Sequence, residues 1–242
     1  DYVIEKKLGE GGMGSVYLAR HTNIDQGIAI KVLHGRALQD SEVVQRFNRE
    51  ARTIARLSHP NIIRVFIFGH TEDGLIYLAM EYVSGLDLKA FFNVCEKSGK
   101  PMDPRVAALI VREVAQGLGY AHRATDSSGS SLGLIHRDIS PQNILLSWAG
   151  EVKLVDFGIA KDLRSRHTLT ETGAFVGTPH YMATEQVSGE PHSLTERTDI
   201  YALGGVLYFL LTGQHPYRGE SALQVLVNVL QKEVLPPGLL CE

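Results

Sequence analysis

Apolar positions in the first third of the chain fall in short runs rich in β-branched and aromatic residues. These runs are Val16-Tyr17-Leu18-Ala19, Ile28 to Leu33, Ile62 to Phe68 and Leu75 to Met80, and Gly, Asn or Asp punctuate them. Each predicts a strand. Between the second and third, apolar residues at Val43, Val44, Phe47, Ala51, Ile54 and Leu57 recur at helical spacing, so a helix is predicted over 41–57. His59-Pro60-Asn61 ends it. After a connector at Glu81-Tyr82-Val83-Ser84-Gly85, helical patterns dominate, first Pro104 to His122 and later Thr198 to Thr212. Two short strands, Ile144-Leu145-Leu146 and Val152-Lys153-Leu154-Val155, lie between them, and the polar stretch Thr125 to Ser131 reads as a surface loop. The pattern predicts an α+β, bilobal chain. Residues 1–81 form a small antiparallel β-sheet lobe with one key helix, and residues 82–242 form a larger, mainly helical lobe. A hinge at about 81–85 joins them, and a cleft between two lobes is where a ligand tends to bind. No internal repeat is visible.

Composition narrows the function classes. The chain has 242 residues, 44% apolar and 21% charged, with 24 basic against 27 acidic side chains. That balance excludes a surface built to coat nucleic acid or anionic lipid. Cys95 and Cys241 lack any metal-ligand or redox spacing and read as reduced thiols of a cytoplasmic protein. The most apolar segment, Ile200 to Leu211, is too short to span a bilayer. No membrane contact is expected of this segment, although an anchor outside it would be compatible.

Glycines introduce the first chemistry. Leu8-Gly9-Glu10-Gly11-Gly12-Met13-Gly14-Ser15-Val16 contains Gly-x-Gly-x-x-Gly, which lets backbone N–H groups approach phosphate oxygens. A dinucleotide-binding fold requires a helix next, whereas Val16 to Ala19 reads as a strand. The glycines are therefore expected at a hairpin tip lying over phosphates.

Two charged residues stand in apolar settings. Alternation along Ile28 to Leu33 puts Lys31 on one face with Ala29 and Leu33, where an unpaired ammonium is costly. On the predicted helix Val43, Phe47, Glu50, Ile54 and Leu57 share one face, and Glu50 fills an otherwise apolar slot. A Lys31–Glu50 pair that aims the lysine at the phosphates is expected.

Downstream, His136-Arg137-Asp138-Ile139-Ser140-Pro141-Gln142-Asn143 precedes Asp156-Phe157-Gly158. A carboxylate at Asp138 can orient a substrate hydroxyl and take its proton. Asn143 and Asp156 offer oxygen donors suited to a hard cation, Mg²⁺ or Mn²⁺.

With the glycine turn, Lys31, Glu50, Asp138, Asn143 and Asp156 in this order, the chain resembles the protein kinase superfamily. Within it the chain is most similar to the eukaryotic-like serine/threonine kinases of bacteria. The match runs from Leu8 to about Tyr217, and the wording Gly-Gly-Met-Gly, Asp-Phe-Gly-Ile-Ala-Lys and Tyr-Met-Ala-x-Glu-Gln carries the bacterial likeness. The resemblance implies transfer of the γ-phosphate of Mg·ATP to serine or threonine hydroxyls of protein substrates. It implies that Met80 stands beside the adenine and that the Glu81 carbonyl and Val83 backbone hydrogen-bond it. Leu8, Val16, Ala29 and Leu145 would sandwich the base, and Asp87 would lie near the ribose. Ile54, Phe66, His136 and Phe157 would form an apolar spine, and Asp199 would anchor the backbone around Asp138. Gly177-Thr178-Pro179-His180-Tyr181 resembles the substrate-facing segment of serine/threonine kinases.

Arg137 before Asp138 goes, in that family, with control by activation-loop phosphorylation. The loop from Asp156 to Glu185 holds Thr168, Thr170 and Thr172, and self-association that modifies Thr170 or Thr172 is expected. Arg137, Lys161 and Arg46 would receive the phosphate.

The chain departs from the family at Ser140, where a lysine that touches the γ-phosphate is usual, and at Thr184, where proline is usual. The resemblance also implies a domain extending past Glu242, so the last helices and the arginine partner of Glu185 are expected to be missing. These departures keep a pseudokinase, a nucleotide-binding scaffold, as the alternative to an active kinase.

Overall fold

Side-chain alternation sets the first layer. In a computed structural model, five strands form one antiparallel sheet in the order β1-β2-β3-β5-β4. They are β1 (Tyr2–Gly11), β2 (Gly14–His21), β3 (Gln26–Leu33), β4 (Val65–His70) and β5 (Ile76–Glu81). The structure describes residues 2–11, 14–22, 26–33, 51, 53–71, 74–157, 179–189 and 193–240. The expected roles of Gly12, Met13, Arg46, Glu50, Gly158, Lys161, Thr168, Thr170, Thr172, Gly177 and Thr178, and the helix over 41–50, lie outside these residues.

The two faces of β3 pack differently. Ile28 and Ile30 join Ala19 and Ala79 in a small outer cluster. Ala29 and Leu33 instead join the main core, which runs through Leu78, Met80, Leu118, Ile144, Leu154 and Phe209. One continuous apolar body therefore underlies both the sheet and the helices.

The sheet leads through Tyr82-Val83-Ser84 into β6 (Gly85–Asp87), which pairs with β7 (Ile144–Ser147), itself paired with β8 (Val152–Leu154). A Cβ at Gly85 would stand 1.9 Å from the Leu146 carbonyl oxygen, so only glycine permits this strand approach. At the β7–β8 turn Trp148 is 72% exposed, and its amide donates to the Ser84 carbonyl at 2.9 Å.

Helices supply the second layer: α1 (Leu88–Lys97), α2 (Pro104–His122), α3 (Thr184–Ser188), α4 (Glu196–Thr212) and α5 (Ala222–Gln231). Their starts follow capping chemistry. Asp87, Asp103, Thr195 and Ser221 each accept a backbone N–H from the first turn of α1, α2, α4 and α5. Helix α4 is the most buried, with Ala202, Leu203, Val206, Phe209 and Leu210 inside, and ends at Gly213 in the left-handed region, φ 70°. Among the described residues no helix is long and apolar enough to cross a membrane.

One strand expectation needs correction. Ile62 to Arg64 is not part of β4. Ile62 forms an isolated parallel bridge with Leu154, Ile63 N donates to the Leu154 carbonyl, and Leu154 N donates to the Asn61 carbonyl. Hydrogen bonding toward β8 draws this apolar stretch away from the five-stranded sheet.

Candidate active site

Directly opposed residues in antiparallel strands share a face. Val16 opposes Lys31, Lys31 opposes Leu78, and Ala29 opposes Met80. Val16, Ala29, Lys31, Leu78 and Met80 thus line one side of the sheet, and it is the side turned to the main core. Three of the residues expected around an adenine ring stand on the same face as the lysine expected at the phosphates. Leu8 lies on β1 and is 41% exposed.

The glycine-rich turn is a hairpin. Gly9 opposes Val16, Glu10 opposes Ser15 and Gly11 opposes Gly14, which leaves no room for the helix of a dinucleotide fold. At Gly14 a Cβ would lie 2.1 Å from the Val32 carbonyl oxygen, so the close approach of β2 and β3 demands the third glycine independently of any ligand.

The segment around Asp138 is held mainly through backbone atoms. Asp199, fully buried at the first turn of α4, accepts His136 N and His122 Nε2 on Oδ2 and Arg137 N on Oδ1, all at 2.8 Å. The expected anchoring role of Asp199 agrees with these bonds. His136 is fully buried and its ring bridges two elements. Nε2 donates to the Val155 carbonyl at 3.0 Å, while Nδ1 accepts from Asp138 N at 3.2 Å. Those roles require the neutral Nε2–H tautomer, and desolvation holds the His136 pKa below its usual value.

Asn143 donates its side-chain nitrogen to the Asp138 carbonyl at 2.8 Å, and its own carbonyl accepts Val155 N at 2.9 Å. With the amide nitrogen engaged, its side-chain oxygen is the end left to meet a cation. Among the described residues two non-glycine residues occupy the left-handed backbone region, Arg137 at φ 64° and Asp156 at φ 59°. Such conformations cost about 1–3 kcal/mol and persist where surrounding bonds over-determine them, often at functional sites.

Lys31 Nζ lies 2.6 Å from Asp156 Oδ1, with the lysine side chain 16% and the aspartate side chain 40% exposed. The contact joins residues 125 apart in sequence. Sequence reasoning paired Lys31 with Glu50, which lies outside the described residues, and missed Asp156 as a partner. Asn143 and Asp156 form a small, oxygen-only donor set. That suits Mg²⁺, which binds through one or two protein oxygens and completes its shell with phosphate and water. The groups present fit the cation.

The end of β5 carries a second ion pair that sequence reasoning did not find. Glu81 accepts Lys153 Nζ on both carboxylate oxygens at 3.2 Å and Arg64 N on Oε1 at 2.7 Å. Lys153 opposes Leu145, which opposes Asp87, so the row that meets Glu81 also carries two expected nucleotide contacts. Asp87 Oδ1 caps α1 by accepting Ala90 N, which fixes the side chain expected near the ribose. Lys153→Met should raise the KM for ATP several-fold and lower stability by about 1–2 kcal/mol, since the Glu81 carboxylate loses its cation. Unchanged ATP saturation curves would show that nucleotide binding does not depend on the pair.

The spine expectation is partly corrected. His136 and Phe157 rings lie 4.6 Å apart, and Ile54 is buried in the main core. Phe66, however, is 41% exposed beneath the Arg64 guanidinium, while Val65 is 7% exposed and belongs to that core. A register shift between Val65 and Ile67 interrupts β4 at this point, and the residue turned to the main core is Val65 rather than the Phe66 that the resemblance implied.

Ser140 is 2% exposed, and its carbonyl accepts Asn143 N at 3.0 Å, so the position usual for lysine is packed inside the loop. Glu185 has a partner within the chain: Thr198 Oγ1 donates to its Oε1 at 2.7 Å.

Comparison with known proteins agrees with this arrangement. The family model described as the protein kinase domain matches residues 2–236. The chain is 39% identical over 232 residues to the serine/threonine-protein kinase PrkC of Bacillus subtilis, covering 96% of this chain and 33% of that protein. It is 40% identical over 243 residues to the serine/threonine-protein kinase pkn3 of Myxococcus xanthus, covering 98% and 42%. It is 37% identical over 241 residues to PknB of Mycobacterium tuberculosis, covering 98% and 36%. The chain thus spans well under half the length of the curated relatives it matches. A crystal structure of a mutant PknI kinase domain from Mycobacterium tuberculosis superposes with a TM-score of 0.67 at 31% identity, covering 90% of this chain and 76% of that one. The chain belongs to the protein kinase domain family, and within it to the eukaryotic-like serine/threonine kinase catalytic domains of bacteria.

Proposed function

We propose that this segment transfers the γ-phosphate of Mg·ATP to serine and threonine hydroxyls of proteins, with Asp138 taking the hydroxyl proton. The observation that carries the reading is the connected set Lys31–Asp156, Val155–Asn143 and Asn143–Asp138. It brings a cation, two metal-suited oxygens and a carboxylate-bearing residue into one bonded network.

In this reading the adenine is gripped between Val16, Ala29 and Met80 on the sheet and Leu145 below, with Leu8 at the rim and the Glu81–Val83 backbone reading its edge. Gly9 to Ser15 cover the phosphates, and Lys31 turns from Asp156 toward their oxygens, with Glu50 as its alternative partner. Magnesium held by Asn143 and Asp156 would neutralise charge on the triphosphate. Asp138 orients the acceptor hydroxyl and receives its proton as the oxygen–phosphorus bond forms. ATP places the segment on the cytoplasmic side, and modification between copies at Thr170 or Thr172 is the proposed means of activation.

Incubation with γ-labelled ATP, magnesium and a generic protein acceptor should put label on phosphoserine and phosphothreonine, and a chelator should abolish it. Mass spectrometry of the active protein should find phosphate on Thr170 or Thr172. ATP binding without any transfer would replace this reading with the scaffold alternative that Ser140 and Thr184 motivate.

A further inference from the structure

The residue pair entering Asp138 is pinned from three directions. Arg137 N donates to Asp199 on α4, and Asp138 N donates to His136 Nδ1. The carbonyl between them, that of Arg137, accepts Gln186 Nε2 at 2.9 Å. Gln186 stands on α3, a five-residue helix whose first turn it also caps: its Oε1 accepts Ala183 N at 3.0 Å. One side-chain amide thus spends its acceptor on its own segment and its donor on the loop that carries Asp138.

We infer that Gln186 is a positioning residue that sets the peptide plane leading into Asp138 and couples it to the docking of the segment 179–186. The inference rests on Asp138 being the proton acceptor. A peptide plane has one rotational freedom relative to each flanking Cα. Fixing the Arg137–Asp138 plane at both its C=O and its N–H, with the next plane held by Asn143 Nδ2 on the Asp138 carbonyl, fixes the direction in which the Asp138 side chain leaves the backbone. Arg137 has φ 64°, a region that a long side chain does not choose by itself. Losing the Gln186 donor therefore removes one of the two bonds that hold this plane and leaves its N–H bond to His136 Nδ1 to oppose relaxation of the Arg137 conformation.

The other end of the segment is seated separately. Tyr181 is 3% exposed, its hydroxyl lies 3.1 Å from His215 Nδ1, and its ring packs where a Cβ on Gly205 would come within 3.1 Å. Glu185 takes Thr198 Oγ1, next to Asp199. The segment is held on α4 by Tyr181 and Glu185, and Gln186 alone among these contacts reaches the Arg137 carbonyl. Whatever unseats 179–186 releases that carbonyl, which gives the substrate-side segment a direct mechanical link to the base.

Gln186→Glu isolates the link, because a carboxylate still accepts Ala183 N but offers no donor to the Arg137 carbonyl. The expected result is a kcat about tenfold lower. The KM for ATP should stay within about twofold and the melting midpoint should stay near wild type. Amide exchange in a peptide covering residues 136–140 should be faster. Gln186→Met removes donor and cap together and should lose both kcat and melting temperature. Wild-type kcat and wild-type exchange in Gln186→Glu would overturn the inference. If the wild-type chain transfers no phosphate, the proposed function fails by itself, and exchange at 136–140 still decides the role of Gln186: faster exchange supports it, unchanged exchange removes it.

Discussion

Asp138→Asn should lower phosphate transfer by about 10²- to 10⁴-fold, the usual worth of a positioned general base, while ATP still binds and the fold melts near its wild-type temperature. The separation follows from which atoms hold the residue. Asp138 is fixed through its carbonyl, which accepts Asn143 Nδ2, and through its amide, which donates to His136 Nδ1. Asparagine leaves both bonds in place and removes a proton acceptor. Labelled-phosphate assays with matched preparations measure the rate, and a fluorescent nucleotide measures binding. Equal transfer by both proteins would mean that the activity comes from a contaminant or that another group takes the proton. A loss of nucleotide binding as large as the loss of rate would place Asp138 in ground-state binding instead.

The largest stability effect is expected at Asp199. Asp199→Ala strips the acceptor from His136 N, Arg137 N and His122 Nε2 at a site with no access to water. Each buried donor left without a partner costs about 1–3 kcal/mol, so a total of about 3–9 kcal/mol is expected from the three. Against the usual domain stability of about 5–15 kcal/mol, that leaves a protein near its folding threshold. Asp199→Asn should fall between, because its amide offers one oxygen to donors that now take two. Urea denaturation followed by circular dichroism gives the ranking wild type, Asn, Ala. A shift below about 1 kcal/mol for Ala would show that the three bonds are replaced by others and that Asp199 is no anchor.

Much of the architecture was legible because two periods were clean. The helix over Pro104 to His122 has the predicted bounds, since Asp103 caps it, Pro104 takes the first position and apolar residues keep a steady stripe. The β3 faces follow strict alternation, which put Lys31 beside Ala29. Where the period was broken, reading failed. Strand β1 is mostly exposed, with register shifts between Ile4 and Lys6 and between Lys7 and Gly9, so it shows no alternation to detect. At the register shift in β4 Phe66 is outside and Val65 inside, against the spine position that the resemblance implied for Phe66. Helix α1 carries a usable sign, an aspartate before Leu88, Phe91 and Phe92, whereas on the exposed side of α5 Leu223, Val227 and Leu230 are mixed with Gln224 and Gln231, which blurs the contrast between its faces.

Within the site, residue types and their order were readable, and their bonds were less so. Asp199 at the backbone of 136–137 was expected and is found there. The Lys31–Asp156 and Lys153–Glu81 contacts join residues 125 and 72 apart, and no local pattern encodes either. Gln186 was seen only as one letter in a family-like string. Its role depends on which way one amide faces, and that is a property of the packed segment.

The single tryptophan, Trp148, has its indole already largely in solvent at the turn beside Ser84. Denaturation moves it from water to water, so its emission wavelength should barely shift as the core comes apart. The same exposure makes it a built-in optical probe beside the segment that follows β5, open to quenchers in the native state and sensitive to anything that settles over that turn.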